Sequence, residues 1–203
     1  MRWLVALLLA TGAASAEPLE NWPRLFNVSG VAANDRLNVR REPDASSIII
    51  GALQNDATSI EVIRSSEDGR WARVNLNEQA GWVKLQFLTE NSPATATERP
   101  DPVLCYGTEP FWAFSDREPE QYKFQIPDAD PLFFRPAAMG SSQNHSGRYF
   151  VTGANDEMTF GGILRAEICS DGMSDREFGI SIDLVFSGQA GSTFVSGCCS
   201  VAP

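Results

Sequence analysis

Between Leu37 and Leu88 the chain is a succession of short apolar/polar alternations separated by turn residues, with no stretch patterned for a long helix. Ile60 and Val62 flank polar Glu61, and Trp71-Ala72-Arg73-Val74 repeats the same period of two, the habit of half-buried strands. Arg41-Glu42-Pro43-Asp44, Asn55-Asp56, Asp68-Gly69 and Gln79-Ala80-Gly81 supply the expected turns. Side chains that alternate in this way leave a strand on opposite faces, so each segment buries one face and several must share a core. The region is expected to form a small all-β barrel.

The second half is expected to be β as well. From Glu177 to Phe186 the residues Phe178, Ile180, Ile182, Leu184 and Phe186 point to one side, with Gly179, Ser181 and Asp183 between them. Similar alternation runs through Tyr122–Ile126 and Leu164–Ile168, and Asn155-Asp156 and Gly161-Gly162 are read as turns. About seven short antiparallel strands in a barrel or sandwich are expected. Between the halves lie residues 91–102, with three prolines and almost no large apolar side chain, which read as a semi-extended linker. The organisation expected is a signal peptide over 1–16, a first domain over 24–90, the linker, and a second domain over 103–203.

The leader reading rests on Arg2, the apolar run Trp3–Ala10 and the small residues Ala14-Ser15-Ala16 before Glu17. The apolar run is short of the roughly 20 residues that span a bilayer. No other apolar run of that length follows, so no transmembrane segment is expected in the mature chain, and the location expected is periplasmic. Without Arg2 the chain keeps 15 basic against 26 acidic residues, a formal charge of −11. Phosphate backbones are held by clustered Lys and Arg, so the acid excess argues against nucleic acid. The excess sits in residues 103–203, with 6 basic and 13 acidic residues, against 8 and 9 in residues 24–90.

Four cysteines in an exported chain point to disulfides. Cys105, Cys169, Cys198 and Cys199 show no C-x-x-C spacing, and the one histidine, His145, does not complete a zinc set, so neither metal nor cofactor is expected. On a strand, Cys198 and Cys199 leave opposite faces and take separate partners. The pairing favoured is Cys169–Cys198, the shorter loop, with Cys105–Cys199 tying the start of the domain to its end.

The segments Leu37-Asn38-Val39-Arg40-Arg41-Glu42-Pro43, Gly51, Trp71, Val74 and Gly81-Trp82-Val83, ending near Leu88, together resemble the bacterial SH3 (SH3b) domain. The chain departs from that pattern at Asn55-Asp56-Ala57, where many members carry a glycine. The resemblance implies an SH3-like barrel that binds peptides in or near the cell wall. Trp71 and Trp82 are the candidate contact residues, read first as core plugs because large aromatics dominate small cores.

The second half carries Gly107-Thr108-Glu109-Pro110-Phe111-Trp112 and Cys169-Ser170-Asp171-Gly172-Met173-Ser174-Asp175-Arg176, with Cys198 near the end. These segments are similar to those of a family of bacterial envelope proteins to which no activity attaches. Asp171-Gly172 is expected to form a turn capped by the aspartate. Glu109, Asp171, Asp175 and Arg176 are read as a polar pocket or, more simply, a structural network.

Because SH3b domains accompany wall-cleaving cysteine peptidases, Cys105 and His145 must be weighed as nucleophile and base. Cys105-Tyr106-Gly107-Thr108 lacks the D-C-S-G context, and Ser196-Gly197-Cys198 lacks the histidine of the transpeptidase S-H-G-C motif. No catalytic residue is assigned. The expected protein is a non-enzymatic binding or adaptor protein whose partner is a wall peptide or a wall-processing protein. The alternative is an inhibitor of a basic wall-cleaving enzyme such as lysozyme, and a cysteine-dependent murein hydrolase or transpeptidase ranks third.

Overall fold

A computed structural model describes residues 21–91, 102–118 and 120–201. The leader reading and nearly all of the linker reading lie outside these residues. The chain is all-β, with one 3-10 turn at Leu85–Phe87. The first half contains β1 (Arg24–Val28), β2 (Arg36–Arg40), β3 (Ile49–Gln54), β4 (Ile60–Val62), β5 (Arg64–Ser65), β6 (Trp71–Leu76), β7 (Gln79–Lys84) and β8 (Leu88–Glu90). They form a three-stranded sheet, β4-β1-β8, and a five-stranded sheet, β3-β2-β7-β6-β5. Val39, Leu53, Val62, Val74 and Val83 fill the space between the sheets, as the alternation predicts.

The second half contains β9 (Leu104–Gly107), β10 (Trp112–Glu118), β11 (Gln121–Gln125), β12 (Leu132–Ser141), β13 (Arg148–Ala154), β14 (Met158–Cys169), β15 (Phe178–Gly188) and β16 (Gly191–Ser200). Each pairs antiparallel with the next, and β16 returns to β9, so eight strands close a barrel. The expected count of about seven is one short, and β12, β14, β15 and β16 are 10 to 12 residues long rather than short. An eight-stranded barrel is just wide enough to be filled by side chains. Here Phe114, Tyr122, Phe124, Phe134, Phe160 and Phe186 fill it, with ring centroids 4.5 to 5.8 Å apart.

Two turn readings fail for one reason. Gly161 and Gly162 lie inside β14, where a Cβ on Gly162 would stand 2.7 Å from Leu184 Cδ2. Gly81 lies inside β7, where a Cβ would stand 2.5 Å from Val39 Cγ1. Gly81 and Gly162 serve close approach of neighbouring strands rather than chain reversal. The reversal between β6 and β7 falls instead on Asn77 and Glu78, with Asn77 at φ 55°.

Both disulfides follow the expected pairing, Cys105–Cys199 and Cys169–Cys198. Cys105 and Cys199 face each other across the β9–β16 seam and are fully buried. Cys198 points to the outer side of the same strand and reaches across β15 to the end of β14.

The sheet β4-β1-β8 has a core on each side. Phe26, Val28, Ile60 and Val62 pack into the first half, whereas Leu25 and the preceding Trp22 pack into the barrel core beside Val103 and Val201. Glu61, cross-strand partner of Leu25, faces the barrel and is 7% exposed. Alternation alone marks it as a solvent position; the second half covers that position. Ser200 Oγ donates to Glu61 Oε2 at 2.5 Å, and the Val201 amide donates to Oε1 at 2.9 Å. Burial pushes the Glu61 carboxyl above its ordinary 4.5, and these two hydrogen bonds with the charges of Arg176 and Arg117 oppose the rise without cancelling it.

A carboxyl whose folded pKa exceeds its unfolded value binds a proton more tightly when folded. Its contribution to stability is complete below about pH 4.5 and is lost as pH rises through the folded pKa. Glu61→Gln retains an acceptor for Val201 N and removes the charge, so the variant is expected to gain stability relative to the parent between about pH 5 and 8. Glu61→Ala removes the acceptor of the buried Val201 amide and is expected to lose about 1–3 kcal/mol even at the acid end. Urea denaturation across pH checks both. Replacing Cys105 and Cys199 together with alanine is expected to cost roughly 2–5 kcal/mol, more than the same change at Cys169 and Cys198, because the loop released is longer.

Candidate functional site

Strands β6 and β7 bury Ala72, Val74 and Val83, so Trp71, Arg73, Trp82 and Lys84 stand on the outer face. There Trp71 pairs with Lys84, and Arg73 with Trp82. Both tryptophans are nevertheless covered, at 4% and 5% exposure. The guanidinium carbons of Arg64 and Arg73 lie 5.0 and 5.2 Å from the Trp82 ring centroid, and Lys84 Nζ lies 5.6 Å from that of Trp71.

The cover over Trp82 belongs to a junction between the halves. Glu177 Oε1 accepts from Arg64 Nε at 2.9 Å, and Oε2 lies 3.3 Å from Arg73 Nε. Asn75 holds the Glu177 backbone from both sides: Nδ2 donates to the Glu177 carbonyl at 2.8 Å, and Oδ1 accepts from its amide at 3.1 Å. Next to it the Ala80 amide donates to the Asp175 carbonyl, and the Asp175 amide to the Glu78 carbonyl, a short parallel bridge. Trp82 therefore lines a cleft of about 710 Å³ between the halves, with Arg41, Ile50, Ile168 and Ser174.

Trp71 lines a separate cleft of about 570 Å³ on the first half alone. Pro43, Asp44 and Ala45 form one wall, Gly69 and Arg70 the other, and Lys84 to Gln86 close the end. Both walls are held by carboxylates. Ser46 Oγ and its amide donate to Asp44 at 2.7 and 2.6 Å, and these bonds lower the Asp44 pKa. Ser66 Oγ donates to Asp68 at 2.6 Å, as do the Arg70 amide and Nε at 3.0 and 2.6 Å, and its carboxyl falls to about 2. At neutral pH the cleft thus offers Arg70 and Lys84 beside an indole, with two ionised carboxylates fixing the loops.

The four polar residues of the second half do not meet at one point. Asp171 caps its own turn: Oδ1 accepts from the Met173 and Ser174 amides at 3.0 Å each, and Oδ2 from Ser174 Oγ at 2.9 Å. Burial raises its pKa, but these bonds together with the Arg176 charge outweigh that and hold it below the ordinary value. Asp175 serves the junction through its backbone. Arg176 lies over the Phe178 ring at 5.0 Å, and Glu109 is exposed at φ 55°. Asp171 and Arg176 share one cleft, Asp175 and Arg176 another. Cys105 is spent in a disulfide, and His145 is exposed between β12 and β13.

Sequence reasoning passed over Asn75, Glu177 and Glu61, which join the halves. A mid-strand asparagine and glutamate look like solvent positions until their long-range partners are known.

Asn75→Ala is expected to destabilise the protein by about 1–3 kcal/mol, since it leaves a half-buried amide and carbonyl of Glu177 unpaired. Native-state hydrogen exchange should quicken at the Ala80 and Asp175 amides before the barrel strands respond.

Residues 35–89 match the family described as the bacterial SH3 domain, a binding domain. That span holds β2 to β7, two of the three residues of β8, Trp71 and Trp82, and the Trp71 cleft. The chain has no match among curated proteins or solved structures. A bacterial SH3 domain and two disulfides fit an extracellular or envelope location, and among the described residues no helix is long and apolar enough to cross a membrane.

Proposed function

We propose that this chain is an exported, non-enzymatic binding protein of the periplasm, made of an SH3 module and a disulfide-stapled barrel joined by residues 91–102. The SH3 module takes a cell-wall peptide in the cleft beside Trp71. The observation that carries this reading is the coincidence of the family match with a cleft walled by two loops and the 3-10 turn, with Arg70 and Lys84 beside the indole. Wall stem peptides carry free carboxylates, which two cations at one rim attract. The Trp82 face is less suited, because Arg64, Arg73 and Glu177 already occupy it. A second reading, inhibition of a basic wall-cleaving enzyme, draws on the acid excess of residues 103–203.

Purified protein is expected to sediment with murein sacculi without releasing soluble muropeptides. Lys84→Glu and Arg70→Glu, both away from the two cores, are each expected to lower the bound fraction by about fivefold or more at low salt. Unchanged binding in both variants would move the site elsewhere, and muropeptide release would overturn the non-enzymatic reading. Lysozyme inhibition that fades with added salt, without sedimentation, would favour the second reading.

A further inference from the structure

The SH3 reading leaves the segments 107–112 and 169–176 without a role, yet they converge on one cleft of about 420 Å³ in the barrel half. The end of β9 and the start of β10 bring Tyr106 and Trp112, and the turn between them brings Phe111. The connection from β14 to β15 brings Asp171 and Arg176, and Phe178 opens β15. Thr108 Oγ1 donates to the Asp171 carbonyl at 3.1 Å and ties the two walls together.

The floor is rigid. A Cβ on Gly107 would stand 2.0 Å from Trp112 Nε1, and one on Gly197 would stand 2.7 Å from Trp112 Cζ2, so the indole lies flat against two glycines. At the mouth the barrel leaves aromatic surface in water: Phe111 is 52% exposed and Tyr106 43%. Arg176 lies on Phe178, and its buried Nε donates to nothing among the described residues. Asp171, whose oxygens accept within its own turn, forms no hydrogen bond with that Nε. The cleft thus sets aromatic walls beside a cation whose donors are not all used, in a volume suited to a small ligand.

We propose that this cleft binds a flat apolar group that carries a carboxylate, with the ring among Tyr106, Phe111 and Trp112 and the carboxylate paired with Arg176. A free aromatic acid and the C-terminal residue of a chain ending in an aromatic side chain share this chemistry. The site is independent of the Trp71 cleft and stands whether or not the chain binds the cell wall.

The test is amide NMR on the full mature chain, titrated with N-acetyl-phenylalanine and, in parallel, with its uncharged amide. The acid is expected to shift Gly107, Phe111 and Phe178, and the amide to bind about tenfold more weakly, since it loses a charge-assisted pair with Arg176. A short peptide ending in phenylalanine distinguishes the sources: tighter binding than the free acid points to a chain terminus, and equal binding to a small acid, both on the proposed site. Phe111→Ser removes an exposed ring that the core does not use and is expected to weaken the acid by about fivefold or more. Equal binding of acid and amide overturns the proposal. So does the absence of shifts up to about 10 mM, where even millimolar affinity would register. Shifts confined to Gly69, Arg70 and Leu85 also overturn it, and would place binding at the first module's cleft instead.

Discussion

Closure of the barrel at the β9–β16 seam is the constraint on which the rest of the structure depends. Only three residue pairs join these strands, and one of them is the buried Cys105–Cys199 bridge. The bond ties residues 94 positions apart, so it removes much of the freedom an opened barrel would gain. Once the seam is shut, Tyr106 and Trp112 are held against Gly197, and Ser200 and Val201 are presented to Glu61. Without it the aromatic cleft would lose its floor and the first half its anchor.

The two halves treat their aromatic residues differently, and the difference follows from charge. In the first half Trp71 and Trp82 stand on the outside of a sheet and are covered by Lys84, Arg64 and Arg73. Long cationic side chains lay their stems on an indole while their heads reach water or a carboxylate. In the second half most large aromatics of the core turn inward and pack on one another, while Tyr106, Phe111, Phe133, Phe150 and Phe194 stay exposed. Arg176, the cation in one cleft with Tyr106 and Phe111, also lines the cleft at the junction, so one side chain borders two clefts.

Much of this was legible in the residues. Alternation over Phe178–Phe186 marked the buried face of β15, and the neighbouring Cys198 and Cys199 implied two bridges on opposite faces of one strand. What misled was glycine. Gly81 and Gly162 carry the same letter as turn residues, but they sit where two strands approach too closely for a Cβ. Glu61 was opaque for a related reason: a period of two says which face a side chain takes, and not whether a second module covers that face. The candidate tryptophans were visible as residues, but the carboxylate that draws Arg64 and Arg73 over Trp82 lies more than a hundred positions from either arginine. The cleft between the segments 107–112 and 169–176 likewise needs the meander of eight strands before its walls meet.

Trp22 has a consequence for the order in which the protein can be completed. Among the described residues it precedes every strand, yet its side chain is buried in the same core cluster as Val201, near the other end of the described chain. A ribosome makes Trp22 first and the strands that shelter it last. Until β16 is made the indole has no pocket, and the face of the β4-β1-β8 sheet that carries Leu25 and Glu61 stays wet. The first half therefore emerges as an incomplete object with Trp22, Leu25 and Glu61 awaiting cover. Truncation at β16 would then be felt at Trp22 and Leu25, at the opposite end of the described chain.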